Sequence, residues 1–168
     1  VYEKGIMDGT GADRFSPNAP LTRAMIVTIL YRMAGSPAVD APSGFTDVAD
    51  GQWYSDAIAW AAANGIVNGV GNNRFAPSEP VTREQLAAIL YRYAKANGAD
   101  ISVGEDTNLL SYKDFQSVGQ YAVPALQWAV GSGLIGGTTN ATLSPKGTAT
   151  RAQAAVILVR FVGMTAAK

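Results

Sequence analysis

Three arginines stand in matching settings along the chain, in Thr22-Arg23, Thr82-Arg83 and Thr150-Arg151. Each Thr is a good helix cap, so each arginine falls on the first residue of a helix, where the dipole is already positive. A cation in that place is opposed by up to about 1 kcal/mol, and its recurrence calls for a partner. Two partners fit. A carboxylate of a neighbouring unit, with Asp47 and Asp114 as candidates, would make the arginines structural ion pairs. An anion from outside would find a bidentate guanidinium fork beside the free amides of a helix start. Residue types and spacing leave both readings open.

Other chemistry is scarce. The sequence holds no cysteine and no histidine, which removes disulfides, thiol nucleophiles, Ser-His-Asp triads and the usual zinc sites. No carboxylate pair recurs in a catalytic setting, so a glycosidase is disfavoured and the chain is read as non-catalytic. Asp8-Gly9-Thr10-Gly11-Ala12-Asp13 begins like a calcium loop, but no glutamate follows at the twelfth position, and a turn is the better reading. No metal or cofactor is expected. Lys+Arg and Asp+Glu both number 13, so no basic face is available for many phosphate contacts and nucleic acid is not a partner. The longest apolar run, 156–162, is interrupted by Arg160 and is too short to enter a membrane. The absence of a signal peptide at Val1 says nothing about secretion.

The elements that position the arginines come from an internal repeat. Gly5-Ile6-Met7-Asp8-Gly9, Arg14-Phe15-Ser16-Pro17 and Leu30-Tyr31-Arg32 are answered 60 residues on by Gly65-Ile66-Val67-Asn68-Gly69, Arg74-Phe75-Ala76-Pro77 and Leu90-Tyr91-Arg92. A third unit follows with Gly133-Leu134-Ile135-Gly136-Gly137, Leu143-Ser144-Pro145 and Val159-Arg160-Phe161. The repeats are placed at 1–35, 45–98 and 112–163, with Gly/Pro/Ser-rich connectors at 35–44 and 98–111. The second and third open with Phe45-Thr46-Asp47-Val48 and Tyr112-Lys113-Asp114-Phe115. The first lacks that opening half, which a segment outside this sequence or a second copy of the chain would complete.

Each full unit reads as two helices around a Pro-set loop. The opening helix is expected over about 54–64 and 122–132, stopped by Gly65 and Gly133. The second helix carries apolar residues at i, i+3, i+4 and i+7, as in Leu86, Ile89, Leu90 and Tyr93. Thr82–Gln85 and Thr150–Gln153 fit the capping box, whereas Met25 leaves Thr22 without the return bond. Such units bury too little singly. The expected fold is therefore all-α, with three tandem helix-loop-helix repeats sharing a helical core.

Aromatic residues offer a second kind of recognition. Trp53, Trp60, Trp128 and Tyr121 present faces that match the C–H surface of a sugar ring, while Phe15, Phe75 and Phe161 are read as core. Trp60 and Trp128 enter the candidate ligand site. Gly69-Val70-Gly71 and Gly136-Gly137 lack the strand-then-helix setting of phosphate loops and relieve tight backbone. Gly69 and Gly137 are carried in the candidate site beside the arginines.

Taken together these motifs resemble the S-layer homology family, with its aromatic-x-Asp-Val opening, Trp-containing helix ending in Gly-Ile, Phe-x-Pro loop and Thr-Arg helix start. The resemblance covers nearly the whole chain. It implies a pseudo-threefold helical assembly on the outer surface of a bacterium, bound to a secondary cell-wall polysaccharide linked to peptidoglycan. It also implies that Arg23, Arg83 and Arg151 recognise an acidic, often pyruvylated sugar. The family's glutamate two residues after the arginine is replaced by Met25, Gln85 and Gln153, so the ligand implied here differs in kind from the pyruvylated one. The other reading, a protein-interaction scaffold with the arginines in inter-repeat ion pairs, stands beside it.

Overall fold

The computed structural model describes residues 7–10, 14–138 and 141–166. Among them are five α-helices: α1 (Arg23–Met33), α2 (Ser55–Ala63), α3 (Arg83–Ala96), α4 (Val123–Gly131) and α5 (Arg151–Ala166). Three short 3-10 turns, Leu109–Ser111, Phe115–Ser117 and Gln120–Ala122, lead into α4. The described residues hold isolated β-bridges and no strand, so the fold is all-α. Part of the Asp8–Asp13 turn lies outside the described residues.

The helix starts follow from their caps. Thr22 Oγ accepts from the Met25 amide at 3.2 Å. Thr82 and Gln85 exchange both bonds of the capping box, at 3.3 and 3.1 Å, and Thr150 and Gln153 do the same at 3.2 and 3.1 Å. The opening helices end at left-handed glycines, Gly65 at φ 67° and Gly133 at φ 72°. At the first of these, the Ile66 amide donates to Ala61 O at 2.9 Å and the Gly65 amide to Ala62 O at 3.1 Å, closing a Schellman stop. Residues 54, 64, 122 and 132, expected inside these helices, are their caps.

Packing crosses the repeat boundaries. The opening helix of one repeat lies on the second helix of the repeat before it, α2 on α1 and α4 on α3. Tyr31 meets Trp60 with ring centroids 5.5 Å apart, and Tyr91 meets Trp128 at 5.7 Å. Ile26, Leu30, Ile58, Leu86, Leu90, Leu126, Leu158 and Phe161 form one buried cluster drawn from all five helices. Just before the second helices, the Leu21 amide donates to Ala149 O, the Ala149 amide to Val81 O and the Val81 amide to Leu21 O, at 2.8–3.0 Å. Three buried residues from the three repeats thus close a ring of backbone bonds.

Asp47 and Asp114 tie each opening half to its own loop. The Asp47 carboxylate accepts from the Phe75 and Ala76 amides, both at 2.8 Å, and Asp114 from the Leu143 and Ser144 amides at 2.9 and 2.7 Å. Ala76 and Ser144 have φ of 58° and 52°, a left-handed turn that the carboxylate stabilises by collecting two adjacent amides. Burial pushes both carboxyls up, but the amide bonds outweigh it and hold them below the ordinary value. Their stabilisation is therefore complete above about pH 4, near the unfolded carboxyl value, and is lost as the pH falls through the lower folded values. Thermal denaturation between pH 6 and pH 2 is expected to show a falling midpoint, with a shallower fall in Asp47→Asn/Asp114→Asn.

Candidate saccharide clefts at the repeat junctions

Each of the three arginines reaches into the loop of the next repeat. Arg23 Nε donates to Phe75 O at 2.7 Å and Nη2 to Asn68 O at 3.4 Å. Arg83 Nε donates to Leu143 O at 2.9 Å and Nη2 to Gly136 O at 2.5 Å. Arg151 Nε donates to Phe15 O at 2.9 Å and Nη2 to Asp8 O. Arg23 and Arg151 also lie over the rings of Phe75 and Phe15, at 4.6 and 5.0 Å from the centroids. Burial lowers the pKa of all three arginines, and all three stay charged at neutral pH.

These bonds correct both sequence readings of the arginines. No ion pair joins Arg23, Arg83 or Arg151 to a carboxylate among the described residues; Asp47 and Asp114 are occupied by loop amides. The helix-start amides are not free either. Arg23 N donates to Glu79 O and Ala24 N to Pro77 O; Arg83 N to Gly147 O and Glu84 N to Pro145 O; Arg151 N to Ala19 O and Ala152 N to Pro17 O, all at 2.9–3.0 Å. Carbonyls of the adjoining loops already neutralise the positive end of each dipole, and that resolves how an arginine is tolerated at each helix start.

Two junctions open into clefts of about 360 and 340 Å³, within the range of ligand sites. The first is lined by Arg23, Gly69, Val70, Gln85, Arg92 and Tyr121. The second is lined by Arg151, Gly9, Met25, Arg32, Asp8 and Trp53. The composition repeats in register: a junction arginine, a loop glycine, the arginine about two and a half turns along the second helix, and an aromatic residue from the following repeat. Arg32 and Arg92, in the recurring Leu-Tyr-Arg motif, were missed as site residues. Their signal was the recurrence of an arginine after Leu-Tyr at the same position of the second helix in both repeats.

The aromatic assignment changes as well. Trp128 is 1% exposed, packed edge-on against Tyr91 and Phe161, and no sugar reaches it. Trp60 lies partly buried between Tyr31 and Tyr93 and lines a separate recess with residues 38–43. Among the described residues the exposed rings are Trp53, 60% exposed, and Tyr121, 51% exposed; these line the two arginine clefts. Gly69 lines the first cleft, and a Cβ there would meet Arg74 O at 2.5 Å and the Phe45 ring at 2.9 Å. Gly137 is exposed beside Gly136, whose carbonyl receives Arg83.

The S-layer homology domain family matches residues 1–24, 44–87 and 111–155, and the chain belongs to that family. It is similar to an endoglucanase of Bacillus sp. (strain KSM-635), 34% identical over 94% of this chain and 16% of the relative. It is also similar to an amylopullulanase of Thermoanaerobacterium thermosulfurigenes, 31% identical over 94% of this chain and 8% of the relative. An S-layer protein of Bacillus thuringiensis subsp. finitimus is 31% identical over 95% of this chain and 19% of the relative. The chain thus spans less than a fifth of each relative, and the part shared by two enzymes and a surface-layer protein is this module.

Proposed function

We propose that the chain is a non-catalytic anchor that holds a longer protein on the outside of a bacterial cell by binding an anionic polysaccharide attached to peptidoglycan. One observation carries this reading: each of two repeat junctions brings two guanidiniums and an exposed aromatic ring around one cleft. Guanidiniums take carboxylates or phosphates through paired, charge-assisted hydrogen bonds, while a ring face takes the C–H side of a sugar. Two such sites on one chain raise the avidity for a repeating polymer without high affinity at either. The shared module in relatives with unrelated names fits an anchor whose cargo varies.

Arg23 and Arg151 then hold the cleft walls together through Nε and Nη2, and Arg32 and Arg92 provide the more accessible charge. A second reading has support from the same geometry: the junction arginines spend their donors on neighbouring carbonyls, as they would in a protein-interaction scaffold with no sugar ligand. Co-sedimentation with wall sacculi, before and after chemical removal of the attached polymer, separates the two. The anchor is expected to pellet with polymer-bearing sacculi only. Equal pelleting with stripped sacculi, or none with either, would favour the scaffold.

A further inference from the structure

The two clefts are built alike but finished differently, and the difference centres on Glu84. This residue follows Arg83 in α3, where the other repeats have Ala24 and Ala152. It is 2% exposed, and a carboxylate so buried needs its oxygens matched. Three groups of the third repeat do so: the Gly119 amide at 2.9 Å, the Tyr121 hydroxyl at 3.0 Å and Lys146 Nζ at 2.5 Å. Gly119 is shaped to this contact, since a Cβ there would meet the Tyr121 ring at 2.7 Å and Glu84 Oε1 at 3.3 Å. The tip of Tyr121 is therefore tethered while its ring lines the cleft with Arg23 and Arg92.

Among the described residues the second cleft has no such tether. The residue matching Glu84 on its helix wall is Ala24, and Trp53 rests edge-on against Tyr54 at 5.1 Å. The charges differ too. Arg32 is paired with Asp8 at 2.6 Å, whereas Arg92 has no hydrogen bond or ion pair among the described residues, and no carboxylate lines its cleft.

We propose that Glu84 is a positioning residue that fixes Tyr121 in the Arg23–Arg92 cleft and makes this cleft the stronger of the two acidic-saccharide sites. The proposal rests on the saccharide reading of the clefts. A ring already immobilised loses no rotamer freedom when a sugar stacks on it, an advantage of roughly three- to tenfold in affinity. The unpaired Arg92 adds to that advantage for an anion.

The test uses the full chain titrated with polymer-bearing sacculi. Tyr121→Phe keeps the ring and removes the tether, and Glu84→Gln removes the charge while keeping the shape. Each is expected to weaken binding roughly three- to tenfold, and the double variant to weaken it no further than Tyr121→Phe alone, because both act through one bond. Trp53→Ala, in the second cleft, is expected to weaken binding, but by less than Tyr121→Ala does. Phenol titration gives a readout independent of binding. Burial, the Glu84 charge and the Glu84 hydrogen bond push the Tyr121 phenol up to about 12, and in Glu84→Gln it should titrate at lower pH. Additive losses in the double variant, or a Trp53→Ala loss equal to that of Tyr121→Ala, would overturn the proposal while leaving the anchor reading intact. A wild-type chain that does not pellet, with its phenol still raised, would overturn both.

Discussion

Trp128→Ala is expected to lower the unfolding free energy by about 3–5 kcal/mol, the range for truncating a large aromatic in a core. For a chain of this size that is a fall of roughly 10 °C in thermal midpoint. Trp128 sits where α4 meets α3, touching Tyr91 of repeat 2 and Phe161 of repeat 3, so its loss opens a cavity between repeats. Trp128→Phe should recover most of the loss. The ring packing is retained, and the indole N–H, buried without an acceptor among the described residues, is removed. Trp53→Ala, at an exposed ring, should leave the midpoint within about 2 °C. Calorimetry on the three variants checks this. A Trp53→Ala loss matching that of Trp128→Ala would mean the core has been placed on the wrong ring.

Arg83→Ala is expected to cost about 3 kcal/mol, from two charged hydrogen bonds at about 1.5 kcal/mol each. Arg83 is 8% exposed, and its removal leaves the carbonyls of Leu143 and Gly136 without their donors. Arg83→Lys should recover little, because one ammonium cannot span two carbonyls that Nε and Nη2 reach together. Denaturant unfolding of both variants measures the effect. A loss under about 0.5 kcal/mol in Arg83→Ala would show that the junction does not depend on the guanidinium.

The helix limits were legible because each is set by neighbours in sequence. Thr82 and Gln85 are three residues apart and cap one another; Gly65 stops α2 because only the left-handed region lets the last carbonyls be met. The arginines were legible as recurrent and out of place. Their acceptors were not, since these are backbone carbonyls 45 to 143 residues away, and every residue type offers a carbonyl. The Asp47 and Asp114 bonds escaped for the same reason: a carboxylate that collects amides has no signature in the residues it binds.

The aromatic residues show where periodicity stops being informative. Trp60 and Trp128 lie within α2 and α4, three residues on from Ala57 and Ala125, and so belong to the buried stripe. Trp53 and Tyr121 precede the helices, where a period of 3.6 no longer says which way a side chain faces. Residue type made them candidates for sugar stacking together with Trp60 and Trp128, and only the assembled junction separates the exposed pair from the more buried one. Arg92 was obscured in another way: α3 also carries Arg83, Glu84, Gln85 and Lys95, so one more polar residue on it did not stand out.

The central claim, that the junction clefts hold the wall polymer, is tested most directly with Arg32→Ala/Arg92→Ala. Arg92 has no hydrogen bond or ion pair among the described residues, and Arg32 has one exposed pair worth at most about 1 kcal/mol, so the double variant should fold as the wild type does. Its binding to polymer-bearing sacculi is expected to fall more than about tenfold, as loss of a charged hydrogen bond in each cleft requires. Undiminished binding by a folded double variant would contradict the cleft assignment and place the polymer elsewhere on the molecule.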